Sequence, residues 1–141
     1  PKPIADRLKR GESVIADSFP EATVLFSDLV GFTQLSAGVP ASQLVEQLNE
    51  IFLAFDKLTE SHGLEKIKTI GDAYMLVGGL PTPRLDHAEA VADIAIEMLS
   101  AIEKINKENQ LNLILVPWRG LLIRLNEQIH TEVRHLNVRH D

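Results

Sequence analysis

The sequence predicts an α+β domain of the ferredoxin-like type, a βαββαβ sandwich with its helices on one face of an antiparallel sheet. Three observations predict it. Two amphipathic stretches, from Pro40 to Gly63 and from Asp86 onward, carry apolar residues at three- and four-residue steps. Short β-type runs stand before, between and after them. The Gly71-Asp72 pair divides the middle run in two and carries the signature of a tight hairpin.

Composition sets the outer limits. A chain of 141 residues with 45% hydrophobic content is most simply one domain with one sizeable core. The net charge of −6 argues against a general nucleic-acid partner, which leaves a basic footprint. The absence of cysteine excludes disulfides, thiolate metal sites and a cysteine nucleophile, and is compatible with a reducing compartment. No apolar run is long enough to span a bilayer and the N-terminus lacks a signal-peptide pattern. The expectation is a cytoplasmic domain making no membrane contact of its own, or the cytosolic part of a larger protein, membrane-attached or not.

The elements follow in order. Residues Pro1 to Gly11 have a charged helical texture, with Ile4 and Leu8 four apart, and the abrupt start at Pro1 suggests the stump of a longer helix. Val14 to Pro20 reads as connector. Glu21 to Asp28 reads as a strand, apolar on both faces and hence central. Pro40 suits the first position of a helix, Leu44, Leu48, Ile51, Phe52, Phe55 and Leu58 form its stripe, and Gly63 is a natural stop. Leu64 to Ile70 and Ala73 to Val77 are the arms of the hairpin. The second helix carries Ala88, Val91, Ala92, Ala95, Met98, Leu99, Ile102 and Ile105, and is expected to fray over Asn106 to Gln110 before a strand at Leu111 to Val116.

Two carboxylates carry the chemical reading. Asp28 ends the first strand and is followed by a Gly31-containing turn into a helix, where unpaired backbone N–H groups favour anions. Asp72 sits at the hairpin tip with Lys68 four residues before it. Taken singly, Asp72 reads as a turn former and Lys68 as a solvated strand residue, while Asp28 reads equally as a cap of the turn or as a functional carboxylate. In a ferredoxin-like sheet, however, the end of the first strand and the hairpin tip come close together. Two hard carboxylates then suit Mg²⁺ or Mn²⁺, and a pair of such ions can clamp the attacking and leaving oxygens of a phosphoryl displacement. The turn from Leu29 to Thr33 would offer N–H groups to a polyphosphate.

The stretch Phe26-Ser27-Asp28-Leu29-Val30-Gly31-Phe32-Thr33, together with Lys66-Ile67-Lys68-Thr69-Ile70-Gly71-Asp72-Ala73-Tyr74-Met75, resembles the class III nucleotidyl cyclases, the adenylate and guanylate cyclase catalytic domains. The resemblance covers roughly residues 1–112. It implies that Asp28 and Asp72 bind two Mg²⁺ or Mn²⁺ ions, with the backbone carbonyl of Leu29 as a further ligand. It implies that Gly31, Phe32 and Thr33 form the phosphate-binding turn and that Lys68 selects the purine. Lysine is the adenine-type residue there; it donates hydrogen bonds and accepts none, which suits N1 of adenine and not the N–H of guanine. The implied reaction is attack of the ribose 3′-hydroxyl of ATP on its own α-phosphate, giving cyclic AMP and pyrophosphate in intracellular signalling. The family's sites form between two subunits, so a homodimer is implied, as is an upstream sensor or regulatory domain. Residues 1–18 then read as the end of a transducing helix and its connector, and 19–112 as the N-terminal part of the catalytic domain.

Residues 113–141 depart from the family's pattern. In place of a second purine contact and an Asn-Thr-Ala-Ser-Arg helix, the chain reads Ile114-Leu115-Val116-Pro117-Trp118-Arg119-Gly120-Leu121 and runs on to Asp141. The codons for Glu127 to Leu136, read one base later, can spell Asn-Lys-Phe-Ile and then Tyr or Phe-Asp-Ile, near what the family has, so a frame-altered tail is one reading. Leu113 to Leu125 would be a partly formed strand or an exposed apolar segment, or else a surface for a membrane or partner. His130, His135 and His140 recur every five residues, which does not align them on one helix face, so no metal site is expected there. His62 and His87 flank helix ends and read as structural. The alternative to an active cyclase is a catalytically impaired cyclase-homology module that binds nucleotide or a partner subunit.

Overall fold

The computed structural model describes residues 2–12, 14–32 and 36–117. In chain order these form α1 (Lys2–Lys9), β1 (Thr23–Val30), α2 (Ala41–Ser61), β2 (Glu65–Ile70), β3 (Ala73–Gly78), α3 (His87–Asn109) and β4 (Ile114–Pro117). The strands lie in the order β2-β3-β1-β4 and every neighbouring pair is antiparallel. This is the ferredoxin-like arrangement that the sequence predicts, with β1 central.

The core lies between the sheet and the two long helices. Leu29 of β1, Tyr74 and Leu76 of β3 and Leu115 of β4 point to one side and join Ile51 and Phe55 of α2 and Val91, Ile94, Met98, Ile102 and Ile105 of α3 in one cluster. The alternate residues of the same strands, including Val24, Phe26 and Asp28, face the other way, as the two-residue period of a strand requires. The α2 stripe meets the expectation at Ile51 and Phe55 but also buries Thr59, whose hydroxyl donates to the Phe55 carbonyl at 2.7 Å. The buried face of α3 is rotated from the expected one. Ile94 is fully buried, whereas Ala92 and Leu99 are exposed, because helix geometry groups 87, 90, 91, 94, 98, 102 and 105 on the face that meets the sheet.

Several boundaries differ from expectation. The first strand runs Thr23–Val30 and not Glu21–Asp28, so Asp28 lies inside it, and the last covers Ile114–Pro117 and not Leu111–Val116. Pro40 is the residue flanking α2, with φ −58° and ψ 145°, and the helix begins at Ala41. The polar run after Ile105 does not fray: α3 continues to Asn109 and closes on Gln110 in the left-handed conformation at φ 55°. The reason is Asn106. Its side-chain amide donates to the Leu113 carbonyl at 2.6 Å and its carbonyl oxygen accepts from the Leu113 N–H at 3.1 Å, so one polar side chain fastens the helix end to the chain entering β4. The α2 terminus is as expected. Gly63 takes φ 62°, its N–H bonds Glu60, and the Leu64 N–H bonds Thr59, the pair of bonds of a Schellman motif.

Candidate active site on the open face of the sheet

The positions of the two aspartates follow from strand register. The β1–β3 ladder runs from Thr23↔Gly78 to Ser27↔Tyr74. One step further along that register sets Asp28 beside Ala73, the residue after Asp72. Both carboxylates therefore lie at the same end of two adjacent central strands, Asp28 on β1 and Asp72 at the tip of the β2–β3 turn. On its other flank Asp28 pairs with Val116 of β4. Asp28 is half-buried, and its Oδ1 accepts a hydrogen bond from the Leu29 N–H at 3.1 Å.

The turn that holds Asp72 is set by Gly71 at φ 61°, with a negative φ at Asp72. That combination is the pattern of a type II′ hairpin turn, in which glycine takes the first loop position. The strands close directly on it, with Ile70 opposite Ala73.

Lys68 reaches the same face by an irregularity. Lys66 pairs with Leu76, but Lys68 pairs with Met75, and the register shifts between them, leaving Ile67 as the extra residue of a β-bulge. In a regular strand Lys66 and Lys68 would share a face. Here Lys66 turns to the helices, and Lys68 is exposed in a cross-strand row with Met75 and Phe26 on the open face. The next row toward the turn is Ile70 and Ala73, with Asp28 following on β1.

Beyond Asp28 the chain turns at Gly31, whose φ of 94° disfavours any side chain. Leu29 is buried, and Phe32 packs against the core, so its side chain anchors the turn. Thr33 lies outside the described residues, as do Trp118 and the three histidines at 130, 135 and 140. His62 and His87 hold structural positions. His62 Nε2 lies 3.0 Å from Glu97, and buried His87 makes a 2.7 Å hydrogen bond through Nδ1 with the Thr23 hydroxyl. A groove of about 620 Å³ runs between α2 and α3, lined by residues such as Leu53, Ala54, Lys57 and Ala101. It is lined by residues of the two helices and carries neither aspartate.

One polar group escapes the sequence reading. Asp56 of α2 accepts Lys66 Nζ at 2.7 and 2.9 Å and the Tyr74 hydroxyl at 2.7 Å, and Thr59 lies 3.1 Å from that hydroxyl. Burial, reinforced by the hydrogen bond and charge of Asp56, pushes the Tyr74 phenol well above its usual range, so it remains a donor. The sequence signal was present: Asp56 interrupts the apolar stripe of α2 between Phe55 and Leu58.

Fold and geometry together define a ferredoxin-like α+β domain with paired carboxylates at one end of its uncovered sheet face. Comparison with known proteins gives the family: residues 14–137 match the adenylate and guanylate cyclase catalytic domain, and the chain belongs to that family. It is 50% identical over 99 residues to an adenylate cyclase of Mycobacterium tuberculosis, covering 70% of this chain and 22% of that protein. It is 42% identical over 132 residues to the rat guanylate cyclase soluble subunit beta-2, covering 93% of this chain and 18% of that one. Among solved structures it resembles the adenylyl cyclase CyaB from P. aeruginosa with a TM-score of 0.68 and 25% identity, over 72% of this chain and 55% of that one. The chain thus spans about a fifth of the length of these two curated relatives. Relatives named for adenylate and for guanylate substrates both align. Among the described residues no helix is long and apolar enough to cross a membrane.

Proposed function

We propose that this domain is an adenylate cyclase that converts ATP to 3′,5′-cyclic AMP and pyrophosphate. The observation that carries the reading is the shared face: Asp28 and Asp72 lie at one end of adjacent strands, and the bulge at Ile67 turns Lys68 to the same side. Asp28 and Asp72, with the Leu29 carbonyl, would hold two Mg²⁺ or Mn²⁺ ions. The donor set fits such ions, which take one or two carboxylates and complete their shells with water and substrate phosphates. No cluster of three or more histidine, aspartate or glutamate side chains occurs among the described residues, so the carboxylate pair resembles a site completed by substrate more than a closed protein cage. When bound, the ions supply the positive charge that makes the 3′-hydroxyl acidic and balances charge on the triphosphate.

The chain's own groups supply position. Lys68 donates to an acceptor on the base and so favours adenine. The main chain of the Gly31-Phe32-Thr33 turn receives phosphate oxygens. Holding hydroxyl and α-phosphate in line provides most of the remaining rate. A second copy covering the open face, with its exposed Ile70 and Ile114, would close the site, so the active form is a homodimer within a larger regulated protein.

The test is cyclic nucleotide formation by the full chain with Mn²⁺ and either ATP or GTP, for wild type, Asp72→Ala and Lys68→Glu. The reading expects cyclic AMP, its loss in Asp72→Ala, and a shift of preference toward GTP in Lys68→Glu. Cyclic GMP as the wild-type product would overturn the adenine assignment. Bound Mn²⁺ and nucleotide without a cyclic product would make the chain a nucleotide-binding cyclase-homology module.

A further inference from the structure

We propose that Asp56, Lys66 and Tyr74 form a positioning lock behind the sheet that keeps the β-bulge on the turn side of Lys66 and thereby leaves Lys68 as the single lysine of the pair facing the purine site. The proposal rests on the assignment of Lys68 as the purine-reading residue and deepens it.

The hairpin contains two conflicting registers. From Lys68 to Ile70 the β2–β3 pairing follows the tight turn, with Ile70↔Ala73, Thr69↔Tyr74 and Lys68↔Met75. At the other end the pairing is displaced by one, with Lys66↔Leu76 and Glu65↔Val77. That end is fixed by α2, since the buried Leu64 gives its N–H to Thr59 in the helix terminus. A single extra residue absorbs the mismatch, and its place along β2 determines what each side chain faces. With the bulge one residue nearer the turn, Lys68 would point to the helices. Without the bulge, the turn-side register would bring Lys66 out beside Lys68.

Apolar patterning does not choose among these arrangements. β2 is an edge strand with no fully buried residue, and a strand of that kind specifies its register weakly. The polar contacts exclude the bulge-free register, which would turn Lys66 away from Asp56. Lys66 Nζ is held by both oxygens of Asp56 and lies 5.2 Å from the centre of the Tyr74 ring. Tyr74 donates to the same carboxylate and stacks edge-on against Phe55 at 5.4 Å. Lys66 is thus tied to one element on each side, the helix and the neighbouring strand. Lys68, two residues on, remains the single lysine of the pair on the open face. These three are positioning residues: they lie on the opposite side of the sheet from the site and act through the backbone of β2.

The test uses the full chain as wild type, Lys66→Met, Lys66→Arg and Lys68→Met, with two readouts. The first is amide hydrogen exchange at Lys66 to Thr69, which needs no nucleotide. The second is the ratio of affinities for fluorescent ATP and GTP analogues in Mn²⁺. In Lys66→Met, exchange in β2 should rise about tenfold while α3 amides are unchanged, as for a local opening, and the ATP:GTP ratio should fall at least about fivefold, an effect of about 1 kcal/mol. Lys66→Arg, which keeps the ion pair, should restore both. Unchanged exchange in Lys66→Met would overturn the lock. Faster exchange with an unchanged ratio, where Lys68→Met does lower the ratio, would leave the contacts merely structural and overturn the positioning role. If wild type shows no ATP preference and Lys68→Met has no effect, the purine assignment of Lys68 falls and this proposal falls with it, while the exchange data still report whether the bulge is held.

Discussion

On the helix-covered face, Leu29, Tyr74, Leu76 and Leu115 meet Ile51, Phe55, Ile94 and Met98 in a closed apolar cluster. On the open face the same strands present Asp28, Lys68, Phe26 and Met75, half-buried or exposed, beside the Asp72 turn. Neighbouring residues on one strand therefore belong to different problems. Leu29 is a core residue, and Asp28 beside it is a candidate ligand. Because strand side chains alternate, the fold can be stabilised from one side without settling what the other side does. Substitutions on the two faces should separate stability from chemistry.

The largest effect is expected on the covered face. Phe55 is fully buried and packs edge-on against Tyr74. Phe55→Ala should cost about 3–5 kcal/mol, the usual range for deleting a buried aromatic ring. Urea denaturation followed by far-UV circular dichroism checks this. If stability fell by less than about 1 kcal/mol, the site would have collapsed around the cavity and the cluster would not be the closed core described. Any loss of activity in this variant should follow the folded fraction.

On the open face the pattern should reverse. Asp28→Asn should lower cyclase turnover at least about a hundredfold, because a bound metal supplies several kcal/mol of transition-state stabilisation. The midpoint of unfolding should stay near that of wild type, since the carboxylate's only hydrogen bond described is the local one from the Leu29 N–H. Turnover and denaturation measured on one preparation decide it. A variant that unfolds easily would make Asp28 a structural residue after all.

The two faces were also unequally legible in the sequence. The open-face residues could be found because Asp72 sits at a Gly-Asp turn and Asp28 three residues before the Gly31 turn, although β1 runs on past Asp28 to Val30. The covered face was legible as a pattern, but its phase was partly missed. Ala92 and Leu99 look like stripe residues by spacing, yet Ile94 is the one that faces the sheet. Apolar residues all round α3 leave the angle of docking to the partner surface. The end of α3 was misjudged for a different reason. A polar run predicts fraying only if its side chains find nothing, and Asn106 finds the backbone of Leu113, a contact set by tertiary structure. The bulge at Ile67 was illegible because β2 carries mixed polar and apolar residues and lies at an edge. The face that Lys66 takes depends on Asp56, ten residues upstream on another element.

A smaller effect is expected where the two faces meet, at the turn after β1. Gly31 has φ 94°, and a methyl group there would meet the Asn112 carbonyl at 3.5 Å and Leu113 Cδ2 at 4.0 Å, both ordinary contacts. Space is therefore not the constraint; backbone conformation is. Gly31→Ala should cost about 1–2 kcal/mol of stability and weaken Mn²⁺-dependent nucleotide binding as the turn relaxes. Thermal unfolding and binding of a fluorescent nucleotide measure the two. A loss of stability with full binding would remove this turn from the phosphate site.

The smallest effect lies away from both faces. Arg84 donates to both oxygens of Asp86 at 2.8 and 2.7 Å and to the carbonyl of His62 at 2.6 Å, linking the start of α3 to the end of α2. The hydrogen bond from Arg84 is the main cause holding the Asp86 carboxyl down to about 2, from an ordinary 3.8. A carboxylate lowered in the folded state stabilises it above its unfolded pKa, and that contribution is lost as pH falls toward the folded one. Asp86 contributes fully above about pH 4, and its contribution fades between about 4 and 2. Its side chain is 63% exposed, so solvent screens the pair and the effect is slight. Asp86→Asn should therefore lower the unfolding temperature a little at pH 7, and the curves of variant and wild type should converge as the pH is lowered to the acid limit of the fold. A gap that stayed constant over that range would mean that the side chain acts through the shape of the interhelical link and not through its charge.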